Sequence, residues 1–251
     1  MKFLPGLKAT FILLILAAFQ AYAAELSRAD IEQLLAKADK QHPADLRRKD
    51  LTDLDLSGLD FRYADLWGAD LRRANLSHCN LAGLVLDLTV MTRINLSGAN
   101  LANTSIFGVS MMHADLSYTD FSGSRVVAVM DGANLTGANL NNVDWAADMK
   151  NQSMGLMRAN MKGVNLSGAN LTNAKLGRAM LRHAKLTNAN LQQADLYSAD
   201  MDGADLTGAN LTEANFAEAK LHDAIFNDVI ITGARFDGAK NQPEIKARSK
   251  P

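Results

Sequence analysis

The sequence predicts an all-β solenoid, and three features of its repeat pattern carry this prediction. An apolar residue, usually Leu, recurs every five residues from about Leu51 to Phe236. A small residue, usually Ala, stands two positions before it, and Asn or Asp stands one position before it. Ser, Thr or Gly often follows, and these residue types favour turns. A period of five fits neither a strand nor a helix. We therefore expect short segments with two inward apolar positions, each followed by a turn, that stack coil upon coil.

The first 23 residues have the features of a secretory signal peptide. Lys2 and Lys8 supply positive charge, residues 9–19 are apolar, and Ala-Tyr-Ala at 21–23 matches a cleavage site. We expect a bacterial protein that is exported to the periplasm or secreted. A retained N-terminal anchor is the alternative, although the apolar run is short for a membrane span. Cleavage would leave 24 basic and 27 acidic residues, a net charge of −3, which does not indicate a general nucleic-acid binder.

Residues 24–43 are predicted to form a helical N-terminal cap. Ser27 is a candidate helix cap with Asp30 three residues later, apolar residues follow at helical spacing, and Pro43 ends the segment. An apolar helix face is needed here because the first coil of a solenoid has no preceding neighbour. A partner-binding helix is the alternative interpretation.

The repeat array is predicted to span residues 44–238, with a frame slip and a loop at 126–156. The apolar centres shift by one position near 126–130, and residues 146–155 lack the pattern. Val126 and Leu156 are thirty residues apart, or six whole repeats, so we expect one continuous array with a bulge and a loop. Residues 239–251 are polar and basic and are predicted to be a flexible tail, and Ile245 is the residue that could tie it to the array.

The units ADLWG (64–68), VNLSG (164–168) and ADLTG (204–208) resemble the pentapeptide-repeat family over about three quarters of the chain. The resemblance implies a right-handed β-helix of square cross-section with four units per coil. Twenty residues per coil would stack Leu156, Leu176, Leu196, Phe216 and Phe236 in one column. Cys79 falls at a small inward position, which predicts a buried, unreactive thiol, with a reactive or bridging thiol as the alternative.

Departures from the pattern mark the more informative positions. Trp145 takes a central position in a core sized for Leu, so we expect it to lean out towards the loop. Val85 and Val90 replace outward Asn or Asp, and Val127 and Val129 lie in the frame slip. These side chains either mark a contact surface or pack the bulge.

A basic belt is predicted between acidic ends, because residues 149–194 contain no acid. Like charges twenty residues apart would stack on neighbouring coils, which suits an acidic partner, whereas a solvated face is the alternative. The candidate partner-binding residues are Arg158, Lys162, Lys175, Arg178, Arg182, Lys185, Trp145 and Lys150.

The sequence contains no recognisable catalytic, cofactor or metal motif, and we expect no enzyme activity and no cofactor. The five His residues lack zinc-site spacing. Met149, Met154, Met157 and Met161 are soft ligands of the kind that bind copper, but Met154 and Met161 fall at inward positions. A solenoid packed with Leu also leaves no internal cavity for a substrate.

Two functions therefore compete. The first is a non-catalytic extracytoplasmic scaffold that binds another protein or an anionic surface, without nucleic acid. Pairing of its solenoid ends into a homodimer is left open. The second comes from the resemblance: some pentapeptide-repeat proteins mimic duplex DNA and bind DNA topoisomerases. That function needs an acidic surface and the cytoplasm, so the export signal and the basic belt disfavour it.

Overall fold

The computed structural model describes residues 26–147 and 158–248, which form a right-handed quadrilateral β-helix preceded by one short helix. Strands pair only in parallel within this part of the chain, β1 with β2, β3 with β4, and β5 with β6. Single bridges twenty residues apart, such as Asp50–Asp70 and Asp70–Val90, join the remaining coils. The elements are α1 (Arg28–Ala36), β1 (Ala44–Asp45), β2 (Ala64–Asp65), β3 (Ser105–Ser110), β4 (Arg125–Val129), β5 (Phe226–Val229) and β6 (Ile245–Ala247).

Each coil has four faces, which we number by the outward residue of one coil. Face 1 carries Asp70, face 2 Asn75, face 3 Asn80 and face 4 Val85, and later coils repeat this order. Faces 1 and 3 are opposite, as are faces 2 and 4. The central Leu and the small residue before it point inward and are almost fully buried along the array. The core is therefore a narrow column of stacked apolar side chains, as the repeat pattern predicts.

The outward Asn and Asp side chains explain why each unit turns and why coils adhere. The Asn75 side-chain oxygen accepts a hydrogen bond from the backbone N–H of Ser77, at 3.2 Å. The same oxygen accepts a bond from Nδ2 of Asn95 on the next coil, at 2.9 Å. Such a side chain shapes its own turn and joins its neighbour, which is why short polar residues recur at this position.

Helix α1 caps the first coil, as predicted, but it is shorter than the segment 24–43. Ser27 and Asp30 form a reciprocal capping box, and Ile31 is fully buried against the core. The Arg28 guanidinium donates to the carbonyl oxygens of Asp55 and Ser57, at 3.0 and 3.1 Å. The helix thus satisfies carbonyl groups that would otherwise lack a partner at the end of the solenoid. No helix in residues 26–147 or 158–248 is long and apolar enough to cross a bilayer.

The frame slip is a one-residue shortening of β4. Phe107 pairs with Val127 and Val109 pairs with Ala128, so Gly108 on β3 has no counterpart. The following bridges are 19 residues apart, as in Asp115–Asn134. The bulge therefore belongs to β3, one coil before the predicted position, because the slip removes a residue from β4 and does not add one.

The next coil contains 31 residues, as the Val129–Asn160 bridge shows, so the predicted column through Leu156 is wrong. The backbone N–H of Trp145 donates to the carbonyl of Lys175, which places Trp145 beside Leu176. Backbone hydrogen bonds between coils determine which repeat unit stacks on which. The longer coil therefore changes the number of residues between stacked units but leaves the hydrogen bonds between coils in place. Leu156 itself lies outside the described residues. Further along, the predicted stacking of Phe216 on Phe236 is confirmed, with ring centroids 5.0 Å apart and planes at 7°.

The C-terminal segment is partly ordered by pairing, in contrast to the predicted flexible tail at 239–251. Ile245 packs against the core and starts β6, which lies beside β5. The guanidinium of Arg248 donates to both carboxylate oxygens of Asp228, at 3.1 Å each. Strand β6 covers an edge that β5 would otherwise expose, which is the physical reason for its order.

Candidate protein-binding site

Exposed apolar side chains collect where face 4 turns into face 1. Val85 lies on face 4, Leu88 at the corner and Val90 on face 1, while Phe107 and Val129 follow on the next two coils. Their exposed fractions are 56, 50, 36, 38 and 36 % in that order. We call these five residues the apolar edge. Several exposed apolar side chains at one corner are typical of a protein contact.

Leu88 is out of place on two grounds. Its backbone φ is +60°, and the other described residues in this left-handed conformation are glycine, charged or polar residues, or Tyr118. A branched aliphatic side chain raises the backbone energy there, and half of this side chain also faces water. Val85 and Val90 likewise replace the Asn or Asp that would bond neighbouring coils. These three residues depart from the repeat pattern and leave apolar area exposed, although the Leu88 side chain also lies against Gly108 of the next coil.

Val127 behaves differently from the other valines of the frame slip. It is only 4 % exposed, as the packing alternative predicts. Val85, Val90 and Val129 remain exposed, as the contact alternative predicts. Burial therefore supports the packing interpretation for Val127, whereas a contact role for Val85, Val90 and Val129 stays a prediction.

The expectation that Trp145 leans out towards a loop is wrong, and Trp145 is not part of an exposed site. Its side chain is fully buried, and its Nε1–H donates to the hydroxyl of Ser124 at 3.2 Å. Phe121 packs edge-on against it, with centroids 5.3 Å apart. The core accommodates the indole because the smaller Val126 occupies the same column one coil earlier. Ser124 in place of the usual inward Ala is the sequence signal that predicts this acceptor.

Arg158 and Arg178 lie at the same corner as the apolar edge, on later coils. Arg158 stands two positions before Asn160, and Arg178 stands two positions before Met180. Asn160 and Met180 form a bridge between neighbouring coils. The Arg178 guanidinium carbon lies 5.7 Å from the ring centroid of Tyr197, a cation–π contact. Within the described residues no ion pair involves Arg158. These two arginines extend the apolar edge with positive charge.

The other predicted basic residues are spread over three faces and meet acids from neighbouring coils. Lys175 on face 4 lies in a column between Asp144 and Asp195. Lys185 lies on face 2. Lys162 and Arg182 lie on face 1, and Arg182 approaches Asp200 and Asp202 at 4.0 and 3.9 Å. The belt that is acid-free along the sequence is therefore partly neutralised in space. Lys150 lies outside the described residues.

A groove opens beside the apolar edge, at the coils that the frame slip and the insertion distort. Its volume is about 520 Å³. The coil at β4 lacks one corner residue, since Gly108 on β3 has no counterpart there. The groove lies beside this shortened corner. The groove is lined by Gly108, Val109, Ser110, Val127, Ala128, Val129, Arg158, Asn160 and Met180.

Cys79 is a core residue, as predicted. Its thiol is buried and donates to the carbonyl of Leu56 at 3.0 Å. Burial raises the pKa of the Cys79 thiol to about 11, so the nucleophilic thiolate is scarce at neutral pH. In the described residues, no group of three or more His, Cys, Asp or Glu side chains is arranged to hold a metal ion.

The family model for pentapeptide repeats matches the chain in overlapping segments that together span residues 44–126 and 159–240. The chain belongs to the pentapeptide-repeat family. The gap between the matched segments contains the frame slip, Trp145 and the insertion. This pentapeptide-repeat protein therefore departs from its family at the place where the groove opens. No curated protein matches it.

The chain is similar to two solved structures. HetL from the cyanobacterium Nostoc sp. strain PCC 7120, a pentapeptide-repeat protein involved in heterocyst differentiation regulation, is 27 % identical, with 86 % of this chain and 95 % of that chain covered and a TM-score of 0.42. A trypsin-treated variant of QnrB1, a plasmid-mediated fluoroquinolone resistance protein, is 21 % identical, with 76 and 88 % covered and a TM-score of 0.53. Identity at the latter level supports the shared β-helix and nothing finer.

Proposed function

We propose that this protein is an exported, non-catalytic scaffold that binds another protein through the apolar edge. A rigid rod presents the same surface at a fixed spacing without a conformational change, which suits docking. Binding at this edge would bury Leu88 and Phe107, whose exposure to water is unfavourable in the free protein. Arg158 and Arg178 would add attraction for acidic groups on the partner.

The observation that carries the proposal is Leu88 between Val85 and Val90. Three positions close together along the chain depart from the repeat pattern, and their side chains are all exposed. Leu88 among them also has a positive φ. Proteins retain locally unfavourable residues mostly where function requires them. The opposite face 2 carries Ser and Thr at its turns and lacks such departures over most of its length.

Export is part of the proposal and rests on the sequence of residues 1–23. The test is cell fractionation with mass determination of the N-terminus, for which the expected product begins at Ala24. Full-length protein in the cytosol would contradict export and would favour the DNA-mimic function. The described surface does not favour that function, since acids in the middle coils alternate with Lys175 and Arg182. The resistance role of QnrB1 is not carried over at 21 % identity.

The binding proposal is tested by photocrosslinking in the native compartment. A crosslinking amino acid at Phe107 is expected to capture a defined partner protein. The matched control is Ser77, which holds the same position after its central Leu but lies on the opposite face. Capture at Ser77 and not at Phe107 would place the interface elsewhere.

A consensus-restoring variant separates binding from folding. Val85→Asn, Leu88→Asn and Val90→Asn together return the edge to the repeat pattern, and Asn tolerates the positive φ at position 88. We expect unfolding stability equal to or above wild type, with loss of the Phe107 crosslink. A variant that folds and still crosslinks would refute a binding role for the edge. Dimerisation through the solenoid ends stays a prediction, to be checked by the concentration dependence of the molar mass.

A further inference from the structure

We propose that the groove beside the apolar edge receives an acidic, apolar peptide segment of the partner, with Arg158 as the residue that selects the acidic group. This inference rests on the proposed function and specifies the chemistry of the partner. The occupant is a stretch in which a large apolar side chain stands next to Asp or Glu.

The apolar half of the specificity follows from the groove walls. Val109 on β3, with Val127 and Ala128 on β4, are nearly buried, and Val129 and Met180 are partly exposed. Val129 and Met180 retain accessible apolar area, and covering that area with an apolar side chain of a ligand is favourable. The volume of about 520 Å³ accommodates one or two large side chains and excludes a folded element.

The acidic half follows from charge. Arg158 is the one ionisable residue among the described residues that line the groove, and no described acid forms an ion pair with it. The nearest arginine in its column, Arg178, stacks on Tyr197 and adds a second positive charge at the same corner. Asp131, the acid of the preceding coil on face 1, already accepts a hydrogen bond from the backbone N–H of Lys162 at 3.0 Å. A guanidinium that lies beside an apolar surface and has no acidic partner favours the binding of a ligand carboxylate.

The geometry of the strands supports a peptide as the occupant. At this corner β3 and β4 continue as strand through positions where other coils turn sharply. The groove therefore follows the path of β3 and β4 from face 4 to face 1, with Gly108 of β3 in a left-handed conformation at the corner. An extended peptide can place alternate side chains in such a groove and leave the others at its rim.

The test is a selection of phage-displayed random twelve-residue peptides on the chain from residue 24 onward. Peptides enriched on this protein are expected to carry a large apolar residue next to Asp or Glu. Arg158→Glu and Ser110→Phe, which fills the groove from an outward position, should each weaken the selected peptides about tenfold or more. Arg158→Gln should have an intermediate effect, and raised salt should weaken wild-type binding.

Lys185→Glu is the matched control for Arg158→Glu, because it makes the same change of charge on face 2. Its peptide affinity should stay within about twofold of wild type. Thermal unfolding of every variant excludes misfolding as the cause of lost binding. Enriched peptides that are basic, that lack acids, or that bind the Ser110→Phe protein as tightly as wild type would overturn the inference. Selection of no peptide above the Ser110→Phe background would also overturn it.

The outcome is distinguishable from failure of the proposed function. A Phe107 crosslink that survives Arg158→Glu and Ser110→Phe would leave the apolar edge as the interface and remove the groove from it. If the consensus-restoring variant loses the Phe107 crosslink but still binds the selected peptides, the apolar edge and the groove are separate binding surfaces.

Discussion

The imidazole of His78 lies over the α carbon of Gly98 on the next coil. A Cβ atom added to Gly98 would come within 2.6 Å of Nδ1 and 2.7 Å of Cε1 of the His78 ring. The same arrangement recurs where His113 covers Gly132 and where Tyr118 covers Gly137. The turn corners of neighbouring coils are thus complementary, with a ring on one coil and a glycine on the next.

Gly98→Ala is expected to destabilise the protein by roughly 2–3 kcal/mol, from its positive φ and from displacement of the His78 ring. Gly168→Ala is the matched control, because its φ is also +66° and no atom lies within 4 Å of an added Cβ. The control should lose only about 1 kcal/mol. Urea unfolding measures both, and His78→Ala should restore part of the stability of the Gly98→Ala protein. Equal losses at the two glycines would contradict a role for the ring.

Ser124→Ala is expected to cost about 1–2 kcal/mol, since it leaves the buried indole N–H of Trp145 without an acceptor. In a Trp145→Phe background the same change should cost almost nothing, because Phe has no N–H. A double-mutant cycle of unfolding free energies measures this coupling. Additive losses would show that the bond between these two side chains contributes no stability.

The Cys79 thiol gives the protein a defined alkaline sensitivity. Its pKa is about 11 in the folded protein, against an ordinary value of 9.0. Between these pH values the unfolded chain releases the thiol proton and the folded chain does not, so stability falls as pH rises through this window. Cys79→Ala, which restores the usual inward residue, should remove this component. The measurement is unfolding free energy against pH for both proteins, and parallel curves would argue against it.

Alkylation provides a second measurement at the same residue. Iodoacetamide should modify Cys79 readily in urea and very slowly in the folded protein, because the thiol is buried and protonated. Rapid modification of the folded protein at neutral pH would mean that the core opens at this coil.

Ile245→Asp is expected to release β6, since Ile245 packs on the core and a carboxylate cannot. Stability should fall by roughly 2 kcal/mol. Amide exchange at Arg248, which donates to the carbonyl of Val229, should accelerate. Lys246→Asp is the control, because the adjacent side chain points to solvent and its replacement should change neither quantity much.

The β-helix and its cap were predictable from the sequence because the residues that determine each turn lie within a single five-residue unit. An inward Leu, a small residue before it and an outward Asn such as Asn75 specify the same turn each time, and identical turns stack. Ser27 and Asp30 predicted the cap for a similar reason, since their contact spans only three residues. Val85 and Val90 stood out by sequence as well, because they break a pattern that is otherwise regular.

The tertiary structure decided what depends on the neighbour across coils. Counting by fives placed Leu156 below Leu176, whereas backbone bonding selected Trp145, since an inserted stretch changes the count and not the ladder. The acid-free segment 149–194 predicted a basic surface, but Arg182 meets Asp202, which is twenty residues away in the sequence and next to it in space. The exposure of Leu88 and the groove at Arg158 also depend on how successive coils pack on one another. The five-residue period of the sequence does not specify that packing.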